Sequence, residues 1–208
     1  MQDKKRRAAS ARATRAGVAN ELRIVGGEWR GRRVKLAAGA PIRPTPDRVR
    51  ETLFNWLQPV IRGARCLDLF AGSGALGLEA LSRGAREVVF VDRDARAIRQ
   101  IAATLEMLAA PSMPLQVSDA LAFLRGAASP FDVVFLDPPF ASGLLANISA
   151  RLEDRGWLVA NALIYIESAH RDGPPVLPAT WRLARAKRAG EVGYYLVEGR
   201  RHADEQTQ

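Results

Sequence analysis

From Arg65 onward the sequence alternates short, largely apolar runs with amphipathic stretches, and this alternation leaves the chain few folds to adopt. The runs Cys66–Phe70, Glu87–Val91, Leu115–Val117, Asp132–Leu136 and Leu163–Glu167 have the length and apolar character of strands covered on both faces. Between them, near Leu76–Ser82, Ala95–Leu108, Ala120–Leu124 and Leu144–Leu152, lie segments with helical patterning. Parallel neighbours need crossover connections, so this βαβ order predicts an α/β fold with a doubly wound, mostly parallel sheet. Two final runs, Arg182–Arg188 and Gly193–Glu198, flank the turn-prone Ala189-Gly190 and predict a closing antiparallel hairpin.

Upstream of this unit the pattern differs. Leu22–Gly27 is a short β pattern broken by two glycines, and Arg30–Leu36 alternates basic and apolar residues, which predicts a small hairpin with one cationic edge. Pro41, Pro44 and Pro46 keep the chain extended until Asp47, which is expected to cap a helix carrying Val49, Leu53, Phe54, Trp56 and Leu57 and ending before Pro59. Charge follows the same division. Residues 1–50 contain 14 Lys and Arg against 4 acids, a net of +10, while the remaining residues hold 17 against 18. A basic segment on a nearly neutral body suits phosphate-backbone binding by counterion release. Residues 1–20 have nothing to pack and are expected to form a disordered basic leader.

Several chemistries are excluded early. One cysteine, Cys66, and two distant histidines, His170 and His202, cannot make a disulfide framework or a Cys/His zinc cluster, so no metal is expected. No apolar run reaches the length of a membrane span, and no apolar segment follows the N-terminal charges, so a cytoplasmic, soluble protein is expected.

The segment Asp68 to Gly77 follows a strand and opens a helix, and its glycines at 72, 74 and 77 allow a tight turn and close approach to a ligand. A pyrophosphate over a helix N-terminus would use the same spacing, but Asp68, at the strand end, would repel it. A carboxylate there engages the ammonium of an amino-acid-like ligand. Asp92, followed by Arg93 at the end of the next strand, can accept hydrogen bonds from two ribose hydroxyls. Asp119-Ala120 after the third strand can meet an adenine amine. An amino acid, a ribose and an adenine together describe S-adenosylmethionine, held by Asp68, the loop Phe70-Ala71-Gly72-Ser73-Gly74, Asp92, Arg93, Asp119 and Ala120.

The fourth strand runs into Asp137-Pro138-Pro139-Phe140. Two prolines end a ladder and stiffen the exit. An exocyclic base amine is a poor nucleophile because its lone pair is delocalised into the ring. If the Asp137 carboxylate and the Pro138 carbonyl accept its two hydrogens, a pyramidal nitrogen is favoured, and Phe140 can stack on the base. A paired base cannot reach such a pocket, so the target is expected to be unpaired or flipped out.

With these motifs in place, the chain resembles the RsmD-type guanine-N2 methyltransferases of small-subunit ribosomal RNA over about residues 21–200. The resemblance is carried by Gly26-Gly27 with Arg30-Gly31-Arg32, by Arg43-Pro44-Thr45 and Asp47 to Asn55, by Asp68 to Gly84, and by Asp137 to Phe140. It implies a Rossmann-like class I methyltransferase fold with a seven-stranded sheet, and a flipped guanine presented on an assembled or partly assembled subunit. The expected organisation is a leader (1–20), a basic hairpin extension for RNA (21–45), a methyltransferase domain (46–200) and a tail (201–208). Arg30, Arg32, Arg33, Arg43 and Arg48 are the expected RNA contacts, and a monomer is expected. Beside this reading stand a glutamine-amide methyltransferase of release factors, whose similar tetrapeptide begins with Asn in place of Asp137, and two further alternatives. One is a DNA adenine or cytosine amino-methyltransferase, for whose usual target-recognition domain 208 residues leave no room. The other is a catalytically silent RNA-binding module, against which the intact acids at 68, 92 and 137 speak.

Overall fold

Strand and helix alternate as the apolar pattern requires, in a computed structural model that describes residues 21–36, 45–139 and 143–199. Strands β1 (Glu21–Arg23) and β2 (Arg33–Lys35) pair antiparallel as a small hairpin. Helix α1 (Asp47–Leu57) leads to β3 (Arg65–Asp68), α2 (Ala75–Ser82), β4 (Glu87–Asp92), α3 (Ala95–Met107) and β5 (Leu115–Val117). Then come α4 (Ala120–Phe123), β6 (Phe131–Leu136), α5 (Leu144–Asp154), β7 (Leu158–Ala169), β8 (Arg182–Ala189) and β9 (Val192–Glu198). The seven strands of the large sheet lie in the order β5-β4-β3-β6-β7-β9-β8. β5 to β7 run parallel in that order, and only β9 is antiparallel to its neighbours β7 and β8.

Each face of the sheet buries its own core. On one face Cys66, Phe90, Phe135 and Tyr165 pack against Leu53 and Phe54 of α1, Leu78 of α2 and Ile101 of α3. On the other, Leu67, Val134, Leu136 and Ile164 pack against Leu124, which follows α4, and Ile148 and Leu152 of α5. Residues 65–68 alternate between these faces, as do 163–167, so Asp68 and Glu167 share the face that α1 covers.

The N-terminal hairpin has no core of its own. Leu22, Ile24, Trp29 and Val34 are buried in the α1 face, at about 1.5–3 kcal/mol for a fully buried large apolar side chain. Such burial fixes the hairpin to the body. Its turn is locked to the end of α2: Trp29 N–H donates to Ser82 Oγ at 2.9 Å, Glu28 N–H to the Ser82 carbonyl at 2.7 Å, and Ser82 Oγ–H to the Gly26 carbonyl at 2.6 Å. Gly27 sits here at φ +76°, and a Cβ would collide with the Ser82 carbonyl.

Two expectations need correction. Asp47 does not cap α1: it is the first helical residue after Pro46, and its carboxylate instead accepts from Arg50 at 2.6 Å and Arg23 at 2.9 Å. β7 begins five residues before the expected Leu163, because Asn161 takes a left-handed φ of 57° and a register shift between Phe131 and Val133 accommodates it. That kink interrupts the apolar pattern. The proposed leader 1–20, the tail 201–208, Arg43 and Phe140 lie outside the described residues.

Candidate active site

The strand order reverses direction at β3, whose connections lead to β4 on one side while β6 lies on the other, so a crevice opens at the carboxyl ends of β3 and β6. Asp68 closes β3 inside this crevice and is only 3% exposed. Its Oδ2 accepts the Gly77 N–H at 3.0 Å, while Oδ1 has no hydrogen-bond partner among the described residues. Burial, with the negative charge of Asp92 adding to it, pushes the Asp68 carboxyl up to about 7, against the pull of the Gly77 bond. Gly77 lacks a side chain because a Cβ would enter the Phe90 ring of β4. The helix can therefore lie close to the sheet and present that N–H.

Residues Leu69 to Gly74 form the loop between β3 and α2. Asp92, last in β4, holds it: Oδ2 accepts the Gly72 N–H at 2.8 Å, and Oδ1 accepts the Asp94 N–H at 2.8 Å. A carboxylate oxygen has a second lone pair, so both remain able to receive a hydroxyl. Ala71 N–H donates to the Val91 carbonyl at 2.9 Å and Gly74 N–H to Ala71 at 2.6 Å, which completes the turn before α2. Phe70 and Ser73 are half-buried and Arg93 is exposed beside them. Asp119 caps α4, with Oδ1 accepting from the Leu121 and Ala122 N–H groups at 2.9 and 3.1 Å. Only its Oδ2 faces no described donor, and Ala120 behind it is buried.

Asp137 and Pro138 follow β6 directly, next to Asp68 in register terms, since Asp68 pairs with Phe135. Pro138 is buried and Pro139 exposed. Asp137 has no hydrogen-bond partner among the described residues, and burial, then Glu167, then Asp68 push its carboxyl well above the usual carboxylate range. Glu167 was not singled out from the sequence. It lies one residue beyond the Leu136–Ile166 pair of β6 and β7, is 4% exposed, and its Oε1 accepts from Tyr165 Oη–H at 2.8 Å and Thr45 Oγ–H at 3.0 Å. Burial raises its carboxyl too, opposed by those two donors. The signal that could have found it is the Arg43-Pro44-Thr45 segment, whose threonine reaches across 122 residues to this acid.

Thr45 is itself held from behind. Arg50, fully buried, donates to the Thr45 carbonyl at 3.1 Å, the Arg23 carbonyl at 2.7 Å, Asp47 at 2.6 Å and Glu79 at 3.3 Å. Glu79 Oε2 also accepts the Val25 N–H at 2.9 Å. One guanidinium thus joins the hairpin, α1 and α2.

Of the expected RNA contacts, Arg30, Arg32, Arg33 and Arg48 are exposed, and Arg33 pairs with Glu21 at 3.4 Å. The hairpin turn docks at the far end of the eight-residue α2, so Arg30 and Arg32 stand roughly 12 Å along the helix from the cofactor loop. A groove of about 410 Å³, lined by Gly27, Phe54, Asn55, Gln58, Ile61, Arg62 and Arg83, lies by the same junction and contains none of the acids. Among the described residues no His, Cys, Asp and Glu group could hold a metal, and no helix is long and apolar enough to cross a membrane. Cys66 is buried, which pushes its thiol up and leaves it a packing residue.

A sheet in this order, with an acid closing β3 and another closing β4 around a glycine loop, and with an Asp-Pro-Pro exit from β6, defines an S-adenosylmethionine-dependent methyltransferase of Rossmann-like fold. S-Adenosylmethionine fits what is present: a buried acid with one unpartnered oxygen for an ammonium, and Asp92 for a ribose. The chain belongs to the RsmD family, whose model, described as Conserved hypothetical protein 95, matches residues 22–198. It is 49% identical over 178 residues to the ribosomal RNA small subunit methyltransferase D of Escherichia coli K12, covering 86% of this chain and 90% of that one. The protein of the same name from Haemophilus influenzae is 44% identical over 182 residues, covering 86% and 94%. The solved structure of yhhF from Escherichia coli superposes with a TM-score of 0.80 at 49% identity, over 86% of this chain and 98% of that one.

Proposed function

We propose that this protein methylates the exocyclic N2 amine of a guanine in small-subunit (16S) ribosomal RNA, presented on the small subunit or an assembly intermediate. The observation that carries the reading is the Asp137-Pro138 exit from β6 beside the buried Asp68 at the switch point. Bound S-adenosylmethionine supplies a methyl group made electrophilic by the adjacent sulfonium. Asp68 receives the ammonium of the methionine part, the backbone of Phe70 to Gly74 wraps the ligand, Asp92 with Arg93 takes the ribose, and Asp119 with Ala120 takes the adenine.

Asp137 and the Pro138 carbonyl accept the two hydrogens of the guanine amine and turn its lone pair toward the methyl carbon. The proton that the amine gives up on methylation would pass to the carboxylates beside it. Pro139 and Phe140 wall the base. Arg30, Arg32, Arg33, Arg43 and Arg48 contact phosphates around it, which supplies affinity without sequence information. The working unit is a cytoplasmic monomer, organised as leader (1–20), hairpin (21–45), methyltransferase domain (46–200) and tail (201–208).

The test is mass mapping of small-subunit RNA from cells with and without the gene. One guanosine should lose a base methyl group when the protein is absent and regain it when purified protein and S-adenosylmethionine are added to the isolated subunits. An unchanged modification map would end this reading.

A further inference from the structure

Glu167 has one oxygen committed and one open. Tyr165 and Thr45 both donate to Oε1, so two hydroxyls hold the group as an acceptor and fix its orientation, while Oε2 has no hydrogen-bond partner among the described residues. The group is 4% exposed, at the carboxyl end of β7, on the α1 face and one register step from Asp137. A buried, oriented carboxylate beside another carboxylate is costly unless something donates to it. Two arginines near the site serve elsewhere: Arg50 faces Thr45, Asp47, Glu79 and Arg23, and Arg83 faces Glu79.

Base chemistry says what that donor is. In guanine one of the two ring nitrogens flanking the amine-bearing carbon, N1, carries a hydrogen. In adenine and cytosine the ring nitrogen beside the exocyclic amine is a bare acceptor. Two acceptors side by side, one for the amine and one for the neighbouring ring position, therefore match guanine and set a lone pair against a carboxylate for either other amino base. We propose that Glu167 is the specificity-determining residue of this site, accepting the N1 hydrogen of the target guanine through Oε2 while Asp137 accepts from its amine. This inference rests on the guanine-N2 reading above and adds to it how the base is chosen.

The test compares small subunits assembled with RNA carrying guanine at the mapped target with subunits carrying 2-aminopurine there, which keeps the amine and lacks the N1 hydrogen. The readouts are kcat/KM for methyl transfer and, separately, S-adenosylmethionine affinity. A site built to hydrogen-bond a substrate N–H rejects the analogue lacking it by about 10⁴-fold, so the unmutated enzyme should prefer guanine by at least about 10²-fold. Glu167→Gln keeps the acceptor oxygen for Tyr165 and Thr45 and can turn its NH2 toward the bare N1. It should lose about 10²-fold on guanine, bring the preference within about tenfold, and leave cofactor affinity unchanged. Equal use of the two bases by the unmutated enzyme, or an undiminished guanine preference in Glu167→Gln, would overturn the proposal while leaving guanine methylation standing. If the unmutated enzyme does not methylate the guanine subunits, the functional reading fails and this inference falls with it. Should the variant not bind cofactor, the guanine to 2-aminopurine ratio of the unmutated enzyme decides alone.

Discussion

Asp68→Asn should make the cofactor-free protein more stable at neutral pH while destroying its affinity for S-adenosylmethionine. The Asp68 carboxyl is carried from 3.8 to about 7 by burial. The folded protein therefore binds a proton that the unfolded chain has lost between those values, and stability falls as pH rises through that window. Three units at about 1.36 kcal/mol each give about 4 kcal/mol, the ceiling on what ionised Asp68 costs above pH 7 without its ligand. Asn keeps an oxygen for the Gly77 N–H and carries no charge. Urea unfolding at pH 8 should then place Asp68→Asn up to about 4 kcal/mol above the unmutated protein, with less than half that gap at pH 5, where native Asp68 is protonated. Equilibrium dialysis on the same samples should show cofactor binding lost. An equal or smaller gap at pH 8 than at pH 5 would refute the assignment of Asp68 as a buried acid that stays strained until an ammonium arrives.

Replacing Arg30, Arg32 and Arg33 with Ala should weaken binding to small-subunit RNA and flatten its salt dependence without changing cofactor affinity; an unchanged slope of log K against log salt would remove the hairpin from the RNA interface. Arg50→Met strips the Thr45 and Arg23 carbonyls of their donor and leaves Glu79 with Arg83 alone, and should cost about 3–5 kcal/mol in urea unfolding, far more than an exposed arginine. Asp137→Ala should slow single-turnover methyl transfer by about 10²-fold or more with cofactor still bound, and Asp137→Asn, which keeps an acceptor oxygen, should lose less. Equal rates for all three forms would reduce Asp-Pro-Pro to a strand exit.

The sequence displayed the sheet well because its strands are covered on both faces, so five apolar runs stood out against helical spacing, and the glycine loop marked the switch point. It hid what depends on distance along the chain. Glu167 reads as the polar end of an apolar run, and only the fold brings Thr45 and Asp137 beside it. Asp47 looks like a helix cap because acids often are, but the buried Arg50 three residues on competes for its carboxylate and takes it. Asp119 could be read as a cap or a ligand group, and its Oδ1 does serve as the cap. The Gly26-Gly27 pair shows in the sequence only as a break in a β pattern, and the fold sets it against Ser82 and Arg83.

These long-range contacts change what the basic hairpin is for. An arm tethered only by its own strands would contribute charge and nothing to the geometry of the reaction. Here the hairpin carbonyl at Arg23 and the N–H of Val25 end on Arg50 and Glu79, Arg50 holds the Thr45 carbonyl, and the Thr45 hydroxyl holds Glu167. Each link in that path is a hydrogen bond to a charged group, and most of them are buried, where such bonds are strongest and their loss most costly. An RNA bound at the hairpin, as proposed above, would push on the same frame that sets the acid next to Asp137. Arginine at position 50 suits this junction because one planar guanidinium serves four acceptors on three elements, which lysine, with three donors on a flexible stem, could not do at once.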